Sequence, residues 1–79
     1  MAELPTEEEN ARRVLNIYRH YGTRPGEGLM TQNFLTTATA QGLRETDLLD
    51  GLRYGERKGW FEEGPNGFIL LTEAGFKAI

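Results

Sequence analysis

Gly59-Trp60-Phe61-Glu62-Glu63-Gly64-Pro65-Asn66-Gly67-Phe68-Ile69-Leu70-Leu71-Thr72-Glu73-Ala74-Gly75 is the stretch that decides the fold. Two short apolar runs flank Gly64-Pro65-Asn66-Gly67, a cluster of turn-forming residues, and this pattern predicts a β-hairpin over about residues 60–71. Alternation along a strand sends Phe61, Ile69 and Leu71 to one face and Trp60, Phe68 and Leu70 to the other. Thr72 then suits the cap of a short final helix.

The segment before the hairpin reads as a helix over 45–58. Leu48, Leu49, Leu52 and Gly55 recur at helical spacing and define its inward face. Gly51 and Gly55 each cost a helix about 1 kcal/mol against alanine, and Gly55 is expected where another backbone packs closely. Gly59 is the stop. Upstream, Thr6-Glu7-Glu8-Glu9 has the form of a capping box. Ala11, Val14, Leu15 and Tyr18 follow at helical spacing, so a first helix is expected over 7–21, ended by Gly22. Thr23 to Gly28, with Pro25, reads as a loop. Gly28-Leu29-Met30 is too short to assign from its own pattern. Thr31 is expected to cap a helix over 32–40 that turns Phe34, Leu35 and Ala38 inward, and Ala40-Gln41-Gly42 is the expected turn between two helices.

The chain has 79 residues, 38% of them apolar, which implies one domain with a small core. Residues 1–5 are expected to form a flexible arm. With no cysteine and one histidine, disulfides, thiolate sites and histidine-rich metal sites are excluded. No apolar run reaches the roughly 18 residues of a membrane span. The acidic first residues lack a signal peptide's basic and apolar regions, so a cytoplasmic protein without membrane contact is expected. Net charge is −3, and no segment has a basic excess: residues 1–21 come to −1, residues 22–59 to zero and residues 60–79 to −2.

The order helix, short strand, helix, turn, helix, two-stranded wing resembles the winged helix-turn-helix superfamily. Leu52-Arg53-Tyr54-Gly55-Glu56-Arg57-Lys58-Gly59-Trp60-Phe61 is similar to that superfamily's junction between third helix and wing. Leu71-Thr72-Glu73-Ala74-Gly75-Phe76 is similar to the end-of-wing pattern of MarR-like and PadR-like bacterial regulators. The resemblance implies an α+β, mainly α fold: a three-helix core, an antiparallel wing of two or three strands and a short C-terminal helix.

It also implies duplex DNA as a partner, with the third helix in the major groove and the second touching phosphate. The residues placed to do this are Thr31 and Gln32 at the start of the second helix and Arg44, Thr46, Arg53, Tyr54 and Arg57 along the third. Glu45, Asp47 and Asp50 on the same helix oppose phosphate, as do Glu62 and Glu63 in the wing, so any DNA affinity is expected to be low. The alternative is a protein-interaction module or weak homodimer that uses Trp60, Phe68 and Leu70 on the hairpin's outer face, three large apolar groups of the kind that mark partner surfaces. Catalysis is not expected. Thr31, Thr36, Thr37 and Thr39 have no histidine close in sequence, and Gly26-Glu27-Gly28 does not join a strand to a helix as a nucleotide-binding turn does. No cofactor is implied.

Overall fold

The computed structural model describes residues 6–79; the expected arm, 1–5, lies outside the described residues. Four α-helices and three short strands follow one another: α1 (Glu7–His20), β1 (Gly28–Met30), α2 (Thr31–Ala40), α3 (Glu45–Lys58), β2 (Phe61–Glu63), β3 (Phe68–Leu71) and α4 (Glu73–Ala78). The fold is α+β and mainly helical. The strands form one antiparallel sheet in the order β1-β3-β2.

Thr6 starts α1 by accepting the Glu9 N–H on its hydroxyl at 3.1 Å, and Gly22, at φ +66, ends it. Gln41 and Gly42 make the turn between α2 and α3, closed by the Leu43 N–H donating to the Ala38 carbonyl at 2.8 Å. Asn66 and Gly67 both take left-handed backbone at the hairpin tip, φ 57 and 80, a conformation those two residue types tolerate best. The Thr72 hydroxyl caps α4 through the Gly75 N–H.

Three local expectations are corrected. Thr31 is the first residue of α2, not its cap. β1 runs directly into the helix, and the turn is closed by the Met30 N–H donating to Asn33 Oδ1 at 3.1 Å. Leu49 is 40% exposed. The buried arc of α3 is centred on Leu48, Gly51, Leu52 and Gly55, and at about 100° per residue Leu49 falls outside it. The close backbone approach is at Gly51, not Gly55. A β-carbon on Gly51 would stand 2.6 Å from the Asn10 carbonyl, whereas Gly55 makes room for the Phe61 ring.

α1 and α3 pack side by side, and the core lies between them, α2 and the inner face of the sheet. Val14, Leu15, Ile17, Tyr18, Phe34, Ala38, Leu43, Leu48, Leu52, Phe61 and Leu71 form one buried cluster. Tyr18 is its centre. Its ring meets Phe34 edge-on at 5.1 Å and stacks on Phe61 at 5.3 Å. Its hydroxyl donates to the Ile69 carbonyl at 2.7 Å, tying α1 to β3. Burial first, and the Glu56 charge second, push that hydroxyl's pKa well above the usual tyrosine range.

Candidate binding surfaces

The residues expected to meet DNA are mostly on the surface, but carboxylates accompany them. Arg44 reaches Asp47 through two hydrogen bonds, 3.0 and 3.3 Å, and that carboxylate raises the pKa of the guanidinium, by the hydrogen bond first and its charge second. Arg57 pairs with Glu7 at 2.7 Å. Tyr54, half-buried, donates its hydroxyl to Glu8 at 3.0 Å. Both contacts join the end of α3 to the start of α1, so these two side chains are occupied within the domain. Thr46 and Arg53 are exposed, and Arg53 makes no ion pair among the described residues. It borders a groove of about 600 Å³ with Glu7, Asp50, Glu56 and Arg57. That groove holds three carboxylates against two guanidinium groups.

Thr31 and Gln32 are exposed at the start of α2. Thr31 borders a smaller cleft of about 280 Å³ with Glu56, Glu63, Gly64, Gly67, Phe68 and Ile69. Among the described residues, two carboxylates line this cleft and no cation does. α2, α3 and the hairpin converge on it.

The apolar residues of the hairpin divide differently from their alternation. Phe61 and Leu71 are buried, as alternation requires, and face each other across β2 and β3. Phe68 is 36% exposed and Leu70 half-buried on the outer face. Leu70 lies between two glycines, Gly28 and Gly64, where added β-carbons would strike its side chain. Trp60 is corrected: it does not belong to this outer face. Gly59 leaves α3 in left-handed backbone, and Trp60 sits in the bend before β2, where strand alternation does not apply. Its ring meets Tyr54 edge-on at 6.0 Å, lies under the Arg12 guanidinium at 5.4 Å and packs against the core.

Met30 takes the place expected of Trp60. Register pairs Met30 with Phe68, and both Gly28 and Glu62 with Leu70. The outer face therefore carries Met30, Phe68 and Leu70 in one patch, with Glu62 beside it. Met30 is 44% exposed. A three-residue strand gives no alternation to read, so only the pairing with β3 identifies Met30.

No family model, curated protein or solved structure matches this chain. No helix among the described residues is long and apolar enough to cross a membrane.

Proposed function

We propose that this chain is a winged helix-turn-helix domain that works as a protein-interaction module, binding a basic, apolar segment of a partner on the outer face of its sheet. The element order and the strand order β1-β3-β2 support the winged-helix reading. The observation that carries the functional reading is the cleft where Thr31 meets Phe68. There Thr31, at the start of α2, and Phe68, from the apolar sheet face, border Glu56 and, from the sheet's opposite, helix-facing side, Glu63 and Ile69, with no cation among the described residues. A phosphate entering it meets two negative charges, and a lysine or arginine meets two counter-charges. Met30, Phe68 and Leu70 offer the apolar anchor beside it, and Glu62 extends the acidic rim. A second copy docking face to face would bring Glu62 near its equivalent, which disfavours a homodimer through this face.

Duplex DNA is the second reading. It is favoured by Arg53, exposed beside Thr46 on α3 and without an ion pair among the described residues. One NMR experiment decides between the two. The ¹⁵N-labelled domain is titrated at low salt with a peptide of alternating lysine and leucine and, separately, with a random-sequence duplex. The interaction reading expects the peptide to shift the amides of Met30, Glu62, Glu63 and Phe68, and Phe68→Ser to weaken that effect. Shifts along Thr46 to Arg57 with duplex, and none on the sheet with peptide, would overturn it in favour of DNA.

A further inference from the structure

A third cleft, of about 470 Å³, lies where the end of α1 and the following loop face α4. Arg19, Gly22, Thr23, Arg24, Phe76 and Ile79 line it. Its two large apolar side chains face solvent, Phe76 at 46% and Ile79 at 41% exposure. Its two arginines are exposed, and neither makes an ion pair among the described residues. The Glu27 carboxylate stands at Arg24, accepting its backbone N–H at 2.9 Å, and Lys77 pairs with Glu73 along α4 at 3.9 Å, so Arg19, Arg24 and Lys77 against Glu27 and Glu73 leave the surroundings of the cleft net cationic.

Helix stability accounts for only one part of this arrangement. Arg19 sits in the last turn of α1, where a cation suits the helix dipole. Arg24 lies beyond the helix, in the loop, and gains nothing from that dipole. Neither does the dipole explain why an aromatic and a branched aliphatic side chain border the same opening. An opening lined by two large apolar side chains and by two guanidinium groups without an ion pair among the described residues matches a ligand with an apolar side chain and nearby carboxylates. Arginine's fixed fork of donors suits a carboxylate in particular.

We propose that this cleft is a second docking site, which takes an acidic, apolar peptide segment of a partner protein. It is separate from the acidic sheet face and opposite to it in charge preference. The site does not depend on the reading of that face, since none of its lining residues is shared.

The probe is a capped hexapeptide of alternating aspartate and leucine, titrated into the ¹⁵N-labelled domain. An aspartate–serine peptide, a lysine–leucine peptide and phosphatidylglycerol vesicles serve as comparisons. The expected result is saturable shifts at Gly22 to Arg24 and Phe76 to Ile79 with the aspartate–leucine peptide. Binding should weaken at least tenfold in the double variant Arg19→Ala/Arg24→Ala and, independently, in Phe76→Ser. All the substituted side chains are exposed, and unchanged dispersion of the remaining amides verifies that each variant folds. The proposal is overturned if millimolar aspartate–leucine peptide produces no shifts in the cleft. It is also overturned if the aspartate–serine or lysine–leucine peptide binds there equally well, or if the arginine variant binds unchanged. Vesicle binding without peptide binding would make the cleft a lipid contact and would overturn it too.

Discussion

Replacing Gly51 by alanine tests the closest approach between the two long helices. On an exposed helix face this change stabilises by about 1 kcal/mol, because glycine is the costlier residue to order. At Gly51 the new methyl would stand 2.6 Å from the carbonyl carbon and oxygen of Asn10 and 2.9 Å from the Ala11 nitrogen. These are backbone atoms inside α1, so no rotamer change relieves the contact and the helix itself must shift. Overpacking of this kind costs about 1–3 kcal/mol, and an immobile backbone neighbour puts the cost toward the upper end. Subtracting the propensity gain leaves an expected net loss of about 1–2 kcal/mol. For a chain of this length that is a sizeable share of a total stability of about 4–12 kcal/mol. Urea denaturation followed by far-UV circular dichroism measures it, and with a slope of about 1 kcal/mol per molar the midpoint should fall by about 1–2 M. The pair Arg53→Ala and Arg53→Gly, at an exposed site of the same helix, supplies the propensity difference directly. If Gly51→Ala stabilises the domain by as much as alanine exceeds glycine at position 53, α1 and α3 do not approach as described.

Phe61→Ala should cost about 3–5 kcal/mol, since it empties the space between Tyr18 and Gly55, and Trp60→Ala only about 1–2 kcal/mol, because Trp60 is half-buried; paired urea midpoints check the order. Tyr18 has a folded-state pKa raised above its unfolded value of about 10, so its contribution is fully present below pH 10 and is lost as pH rises toward the folded value. Stability should fall by up to about 1.4 kcal/mol per pH unit above pH 10 from this group alone, tyrosinate absorbance should rise for Tyr18 only as the domain unfolds, and Tyr18→Phe should flatten the alkaline slope. The double variant Glu7→Gln/Asp50→Asn leaves the groove beside α3 with one carboxylate and two guanidinium groups; fluorescence anisotropy at low salt should then show tighter duplex binding than the parent's, and an unchanged affinity would show that the charge of this groove does not govern DNA binding.

The elements that were legible in the sequence are those whose signals are local. α3 begins at Glu45 and stops at Gly59 because a first turn rich in carboxylates and a left-handed glycine both act within a few residues. The hairpin is legible because Pro65 fixes its own φ, and Asn66 and Gly67 tolerate the left-handed backbone that the reversal needs. β1 was less legible, since three residues give no period. Thr31 does not cap α2, because β1 feeds straight into the helix and its last residue, Met30, holds the capping position. Leu49 lies outside the core because the arc of α3 that its neighbours cover is centred on Leu48, Gly51, Leu52 and Gly55, a limit that leucine content alone does not reveal. The site depended most on distant pairing. Met30 joins the outer face only through its partner Phe68, 38 positions later, and Trp60 leaves it by packing on Tyr54 and beneath Arg12.

Charge behaves in the same way. Residues 43–59 sum to zero, yet Arg57 and Tyr54 meet carboxylates at positions 7 and 8, which no count along α3 includes. These exposed pairs are weak locks. The Arg57 and Glu7 side chains are 67% and 57% exposed, and pairs of that kind contribute only about 0–1 kcal/mol. A phosphate could displace Glu7 from Arg57 at little cost. Displacement, however, leaves Glu7 in the groove, now without its partner and facing the same phosphate. Pairing therefore does not set the field that an approaching ligand meets. The inventory of charges does: Glu7, Asp50 and Glu56 to two guanidinium groups beside α3, and Glu63 with the same Glu56, without a cation among the described residues, where the hairpin meets α2. Long-range attraction of a polyanion responds to that inventory, while the short bonds inside it only decide which arginine is turned inward at a given moment.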